Sequence, residues 1–407
     1  MIDFETAVSE VLRQTYALET RTIRLADSCG YVLAENVIAR EPIPLFDSTS
    51  VDGYAVHSDD IISAVSSSSV NLAVQSTVQA GDSRVLHLKR NHAIKIFTGA
   101  PMPLDADAVV MKEFVSEENG KVSFHEPAHP GENVRKRGAE FSEGAVVFSA
   151  GTLITPPVIG MLSVLGYLSV DVYRKPKVAI VITGNELRAP GSRLKRGKIR
   201  DANSLTLVNV LRMLAIVPVF VVPVRDAKKA VLSVMKKALK KADVIISTGG
   251  VSVGEYDFVR DVMAELHVQT IFWRVSLKPG KPNYFGTKGR KLIFGLPGNP
   301  VAALVSFELL VRPALLKLQG LKVENQISFR ARLTRDLRKK AGRMEFVRAL
   351  FTKNSGSELL VAPTAGQDSH MMSGLAKANC LILFPKDAEF LPKGTIVEIR
   401  ILPWQQW

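Results

Sequence analysis

Between Pro176 and Leu318 two hydrophobic periods alternate along the chain. Short apolar runs at Val178–Ile182, Val219–Val224, Val244–Ser247 and Lys291–Phe294 read as buried strands. Between them, Leu205–Leu214, Ala227–Lys241, Phe258–Leu266 and Val301–Leu318 carry apolar residues at helical spacing. This alternation predicts a parallel sheet with helices on both faces. Upstream, Phe4, Val8, Val11 and Leu12 form one stripe of a helix, with Asp3 as its N-cap. Residues 41–140 change character: Asn71–Val78, Ala93–Phe97, Ala108–Met111 and Lys121–Phe124 read as strands between Gly, Pro and Ser clusters. A helix-like patch covers Pro157–Leu165. Beyond residue 321 the helical period disappears. Gln326–Leu333, Met344–Phe351, Glu358–Ala362, Cys380–Phe384 and Thr395–Ile401 predict short strands that close as a small β-barrel or sandwich, of which the barrel is adopted. The fold class is therefore α/β plus β. A helical linker region (1–40 with 141–175) carries an inserted β-rich domain (41–140), and an α/β domain (176–320) precedes the C-terminal barrel (321–407).

A chain of 407 residues is too long for one core of usual size. Its net charge of +14 and pI of 9.7 favour anionic partners. The densest lysine run, Lys228 to Lys241, interleaves with Val231, Met235, Ala238 and Leu239, so those lysines form the wet face of a helix. Aromatic residues are only 7% of the chain and do not alternate with basic ones, which argues against a nucleic-acid platform. Cys29 and Cys380 have no metal spacing and read as reduced. The N-terminus is acidic and amphipathic, unlike a signal peptide. The most apolar stretch, Met213–Val224, is cut by Pro218 and Pro223 and falls short of the roughly 20 residues that span a bilayer. A cytoplasmic protein without membrane or nucleic-acid contacts is expected.

In open α/β sheets ligands bind beyond the carboxyl ends of the strands. Each informative loop of this chain lies at such an end. Thr183-Gly184-Asn185-Glu186 follows the first strand and Asp226 the second. The third strand runs into Thr248-Gly249-Gly250-Val251-Ser252-Val253-Gly254, with Asp257 opening the next helix. Further on come Leu277-Lys278-Pro279-Gly280-Lys281-Pro282 and Gly295-Leu296-Pro297-Gly298-Asn299-Pro300. Glycine turns offer backbone N–H donors to an anion. Open carboxylates suit Mg²⁺, which keeps water and bridges phosphate. Lysines on proline-stiffened loops suit oxyanions. Metal-assisted chemistry at a phosphate is the reading, with Glu186, Asp226 and Asp257 as metal candidates. No His stands as a base for Thr248 or Ser252, so both are given hydrogen-bonding roles. Two segments lie outside this domain. Asp52-Gly53-Tyr54 reads as a turn. Arg135-Lys136-Arg137 is either a solvated linker or an oxyanion contact.

These motifs, in this order, resemble the molybdopterin molybdenumtransferase family, which includes bacterial MoeA and the gephyrin E domain. The resemblance rests on D-S-T-S-V-D-G-Y-A (47–55), T-G-N-E-L (183–187), S-T-G-G-V-S-V-G-E-Y-D (247–257), L-K-P-G-K-P (277–282), G-L-P-G-N-P (295–300) and G-R-M-E-F (342–346). It implies transfer of molybdenum from molybdate to adenylated molybdopterin, with Mg²⁺ and release of AMP. It also implies a homodimer whose active site is shared between subunits, and contacts with other cofactor-synthesis proteins. Carried over by motif, Asp52, Glu186, Asp226 and Asp257 match the acidic catalytic positions. Lys278 and Lys281 match anion-contacting lysines, and Arg135, Arg137 and Ser369 match further substrate positions. The amides of Gly249, Gly250 and Gly254, and of Gly298-Asn299, would hold the pterin phosphate or adenylate, with Pro297 a further substrate-binding position. Asn185 departs from a common Asp, and Ala139-Glu140 from a common Glu-Asp. Those departures motivate an alternative, a non-catalytic molybdopterin-binding scaffold. The preceding adenylyltransferase resembles only residues 178–318.

Overall fold

The computed structural model describes residues 1–250, 258–323 and 328–404. The chain divides into two compact units. One comprises Asn36–Ala150 and Met161–Tyr167, the other Met1–Glu35, Gly151–Gly160 and Leu168–Trp407.

The larger unit is organised by a six-stranded sheet. Its strands are β1 (Val178–Thr183), β2 (Phe220–Val224), β3 (Val244–Thr248), β4 (Gln269–Trp273), β5 (Tyr284–Lys288) and β6 (Lys291–Leu296), in the order β2-β1-β3-β6-β5-β4. The pairs β2–β1, β1–β3 and β3–β6 are parallel, whereas β5 is antiparallel to both its neighbours. The sheet is thus mixed rather than wholly parallel: β5 and β6 are joined by a two-residue hairpin at Gly289-Arg290. Two reversals return β4 to the direction of the parallel set, so the segment after β4 emerges at the same rim as the other loops.

Strand pleating explains the two-sided core. Val178, Ile180 and Ile182 of β1 belong to one hydrophobic cluster, while Ala179 and Val181 belong to another. The first cluster includes Phe4, Ala7 and Val11 of helix α1 (Phe4–Arg13) and Leu207, Val210 and Leu211 of α2 (Asn203–Arg212). The second takes Val231 and Met235 from α3 (Lys228–Lys241) and Val259 and Val262 from α4 (Phe258–Glu265). All six residues of β1 are buried, and each buried aliphatic side chain stabilises the fold by about 1.5–3 kcal/mol. The lysines of α3 lie on its exposed face, opposite the buried stripe.

Two local readings need correction. Asp3 occupies the N-cap of α1 but makes no side-chain capping bond; its carboxylate faces Lys386 Nζ at 3.4 Å instead. The predicted helix over 301–318 is three pieces: α5 (Pro300–Ser306), a π-helical turn at Phe307–Val311, and α6 (Arg312–Leu318). The extra residue of the π turn places Glu308 among apolar neighbours, 3.7 Å from Arg312 Nε.

Strands β7 (Ser328–Leu333), β8 (Met344–Lys353), β9 (Leu359–Pro363), β10 (Cys380–Phe384) and β11 (Ile396–Ile401) form a closed five-stranded barrel. The sheet order β8-β9-β7-β11-β10 closes through pairing of β8 with β10. Burial pushes the Cys380 thiol up to about 12, so it behaves as an apolar packing residue.

The smaller unit is built on a six-stranded sheet in the order 108–111, 53–56, 92–96, 70–78, 121–124, 115–118. Gly53 begins a strand, which corrects the reading of Asp52-Gly53-Tyr54 as a turn. A Cβ there would sit 2.0 Å from the Val110 carbonyl oxygen, so only glycine allows the two strands to approach. No helix among the described residues is long and apolar enough to cross a membrane.

Candidate functional site

The carboxyl ends of β1, β2, β3 and β6 surround a cavity of about 410 Å³. Glu186, Asp226, Gly249, Gly250, Gly298 and Asn299 border it, so the rim loops singled out from the sequence do converge. Backbone bonds stitch the strand ends together. Gly249 N–H donates to the Leu296 carbonyl at 3.2 Å, and the Thr183 hydroxyl donates to the Thr248 carbonyl at 3.2 Å.

Glycine is required where these loops cross. Gly249 has φ +79°, and a Cβ on it would lie 2.7 Å from Thr183 Oγ1 and 2.8 Å from the Thr183 carbonyl oxygen. A Cβ on Gly298 would stand 3.6 Å from the Gly249 Cα, so the two glycine turns lie against each other. Asn203, buried at the start of α2, donates from Nδ2 to the Gly298 carbonyl at 2.8 Å and holds that turn in place.

Asn185 and Asp226 form a reciprocal pair. Asn185 N–H donates to Asp226 Oδ2 at 3.0 Å, and Asp226 N–H donates to Asn185 Oδ1 at 3.3 Å. The amide at 185 thereby fixes the loop that presents Asp226. An aspartate there could accept the same N–H bond, at the cost of a second negative charge beside the Asp226 carboxylate. Glu186 is exposed at the cavity's edge, its carboxylate folded toward Gly184.

The expected metal set was Glu186, Asp226 and Asp257. Asp257 lies outside the described residues, as do Ser252 and Gly254. Among the described residues no group of three or more His, Cys, Asp or Glu side chains gathers to hold a metal. Mg²⁺ needs only one or two protein carboxylates when water and phosphate complete its shell. Glu186 and Asp226, two hard oxygen donors on one cavity, fit that requirement.

Thr248 does not border the cavity among the described residues. Its side chain is buried, and its hydroxyl has no hydrogen-bond partner among those residues.

Two motifs far apart in sequence are brought together by the barrel. Leu277–Lys278 adds to β8 as a short parallel strand, with Lys278 opposite Glu345. Their side chains form an ion pair at 3.0 Å, with Glu345 buried. Lys281 is exposed on the same loop, and its carbonyl accepts the Val275 N–H at 3.0 Å. Neither lysine borders the cavity among the described residues, whereas Pro282 does. Asn283 and Ser306, both buried and joined at 3.0 Å, pin this loop onto α5. Ser369 accepts a bond from Asn299 Nδ2 at 2.8 Å, so the C-terminal segment reaches the rim.

Sequence reasoning missed Arg348. It sits fully buried on β8, where its Nη2 donates to the Gly366 carbonyl at 2.8 Å. Gln367 bonds the Arg348 backbone in both directions, at 3.1 and 2.8 Å. Burial lowers the guanidinium's pKa from its ordinary value. Arg348 therefore fixes the 364–368 loop that ends at Ser369. A cation inside M-E-F-V-R-A-L reads as a surface position on a strand, and no local signal marks it otherwise. Arg200, Asp201 and Asn203 also border the cavity and were missed; for Arg200 the signal was the acid-free, cation-rich run from Leu187 to Arg200.

In the smaller unit, Asp52 is tightly held. Its Oδ1 accepts the Thr98 N–H at 2.9 Å and the Thr98 hydroxyl at 2.8 Å, and Oδ2 faces Lys112 Nζ at 3.3 Å. These bonds, the Thr98 amide foremost, hold its pKa down to about 2. Arg135 pairs with Ser48 in a two-residue ladder, and the Arg137 N–H donates to Asp47 Oδ1 at 2.7 Å. Lys136 Nζ contacts the other Asp47 oxygen at 2.9 Å. The 135–137 segment is thus an anchored element of this unit rather than a free linker, and it lies against the 47–52 motif.

Known proteins are similar to this chain over nearly its whole length. Residues 2–166 match the MoeA N-terminal region (domains I and II), residues 179–317 the probable molybdopterin binding domain, and residues 330–402 the MoeA C-terminal region (domain IV). The molybdopterin molybdenumtransferase of Haemophilus influenzae is 34% identical over 407 residues, spanning 98% of each chain. That of Bacillus subtilis is 34% identical over 98% of this chain and 94% of its own. The crystal structure of the molybdopterin biosynthesis moea protein from Pyrococcus horikosii superposes with a TM-score of 0.82 at 31% identity, covering 100% of both chains.

Proposed function

The chain belongs to the molybdopterin molybdenumtransferase family, a family of transferases, and from that premise we propose that it moves molybdenum from molybdate onto adenylated molybdopterin and releases AMP. One observation carries the proposal. Two carboxylates and two mutually packed glycine turns face a single cavity at the mouth of the sheet. The Gly249 N–H is already given to the Leu296 carbonyl, contrary to the expectation for that amide, so the other N–H groups of these turns would meet a phosphate, and the carboxylates suit a divalent ion bridging to it.

Glu186 and Asp226 would hold Mg²⁺, with Asp257 as a third acid. The ion would offset charge on the phosphoanhydride as AMP leaves. Asn185 keeps the Asp226 loop in register. Asn203 holds the Gly298 turn open toward the ligand, and the Asn299–Ser369 bond fixes the next residue. Lys281 would meet the incoming oxyanion. Lys278, tied to Glu345, would add positive charge in a fixed position rather than a free contact. Asp52, Arg135 and Arg137 would come to the site from a second copy of the chain in a homodimer. The reaction would take place in the cytoplasm.

The test is AMP release from adenylated molybdopterin supplied with molybdate and MgCl₂. Stoichiometric AMP that disappears with EDTA is the expected result. Retention of bound adenylated molybdopterin without AMP release would overturn the transferase assignment and leave the scaffold alternative.

A further inference from the structure

The loop joining β1 to α2 is unusually long, and its central stretch carries positive charge only. Residues 184–202 separate the two elements, whereas three residues suffice between β2 and α3 and three between β6 and α5. Connections of this kind in α/β units are usually about 2–6 residues, and longer ones tend to be functional. From Leu187 to Arg200 there is no acid, while Arg188, Arg193, Lys195, Arg196, Lys198 and Arg200 are all cationic.

Both ends of this strap border the cavity. Leu187–Arg188 pairs in parallel with Ile199–Arg200, and Leu187, Ile199 and Arg200 line the cavity wall. The cations at its base bond only neutral carbonyls: Arg188 Nη1 and Lys198 Nζ reach the Asn185 carbonyl at 3.2 and 3.1 Å, and Arg200 Nη2 the Ser192 carbonyl at 3.2 Å. Arg193, Lys195 and Arg196 are exposed. No cation of the strap pairs with a carboxylate among the described residues.

The cavity needs such charge. Its described lining holds three acids, Glu186, Asp201 and Asp226, against the single cation Arg200. Mg²⁺ held by Glu186 and Asp226 would bring that lining only to neutrality, so a phosphate entering there still needs positive charge beside it. Lys278 is already committed to Glu345. We propose that the 188–200 strap is an anion-capture element, whose free cations hold the phosphate of a nucleotide-like ligand seated in the cavity. The proposal builds on the adenylate reading of the same site and adds the element that recruits the charge.

The test is isothermal titration of the full chain with AMP, and with adenosine as the neutral control, at KCl from 25 to 250 mM, salt levels chosen so that the Debye length passes through about 10 Å. The variant is Arg193→Ala/Lys195→Ala/Arg196→Ala. It should lower AMP affinity roughly tenfold at low salt, flatten the salt dependence and leave adenosine binding unchanged. Arg193→Lys/Arg196→Lys, which keeps the charge, should retain AMP affinity. An unchanged AMP affinity and salt slope in the triple variant overturns the proposal, as does a wild type that binds AMP no more tightly than adenosine. AMP release is a separate readout. A strap effect without turnover would sink the transferase reading alone, and turnover without a strap effect would sink this inference alone.

Discussion

Gly249→Ala is the sharpest probe of how the rim is built. Its backbone sits at φ +79°, which costs an L-residue about 1–2 kcal/mol. The added methyl would also lie 2.7 Å from the Thr183 hydroxyl and 2.8 Å from its carbonyl oxygen. The carbonyl belongs to the end of β1 and cannot swing away, so the ends of β1 and β3 must part, at about 1–3 kcal/mol. The sum is about 2–5 kcal/mol. Gly289→Ala is the matched control. It has φ +57° in the β5–β6 hairpin, with nothing within 4 Å of the added carbon, so only the backbone cost applies. Urea unfolding of both variants, monitored by tryptophan fluorescence, measures the difference, and AMP titration measures the site. Gly249→Ala should be the less stable of the two and should lose AMP binding, while Gly289→Ala keeps it. Equal destabilisation, or intact AMP binding in Gly249→Ala, would refute the claim that close approach of the glycine turns shapes the cavity.

Three further outcomes are expected. Asn203→Ala leaves the Gly298 carbonyl without its donor and should cost about 1–3 kcal/mol in urea unfolding, with weaker AMP binding. The Asp52 carboxyl titrates near 2 in the fold against an ordinary 3.8, so its stabilisation is present above about pH 4 and is lost as pH falls toward 2. Acid unfolding should therefore shift less with pH in Asp52→Asn than in the wild type, and identical profiles would count against the Thr98 and Lys112 bonds. Burial raises Glu308 from 4.5 to about 7, against the opposing effect of Arg312, so its contribution is full below about pH 4.5 and falls as pH rises through 7. Glu308→Gln should gain on the wild type over that window by up to about 1.4 kcal/mol per pH unit, read from urea midpoints between pH 5 and 8.

The α/β sheet was legible because its strands are near-continuous aliphatic runs and its helices are amphipathic, and both periods survive in a single sequence. The barrel strands were legible from short alternation. Strands β4 and β5 were not, and in β5 the run Tyr284-Phe285-Gly286-Thr287 contains a glycine that reads as a break. A Cβ there would meet the Tyr284 hydroxyl at 2.5 Å and the Gln269 carbonyl oxygen at 2.9 Å, so the glycine serves the packing of β5 on β4. The π turn at Phe307–Val311 was hidden for the opposite reason, since one extra residue in an apolar helix leaves the pattern almost unchanged. Rim residues such as Glu186, Asp226 and Gly249 could be named because strand ends and loops are local features. The pairs Lys278–Glu345, Asn203–Gly298 and Asn299–Ser369 join segments far apart in sequence and are properties of the tertiary fold.

Single-turnover AMP release by Glu186→Gln/Asp226→Asn bears most directly on the assignment of chemistry to this rim. With molybdate, Mg²⁺ and adenylated molybdopterin, release should fall at least about 100-fold, or some 2.7 kcal/mol in barrier, while the ligand still binds. Release within a few-fold of wild type would place the chemistry elsewhere in the molecule.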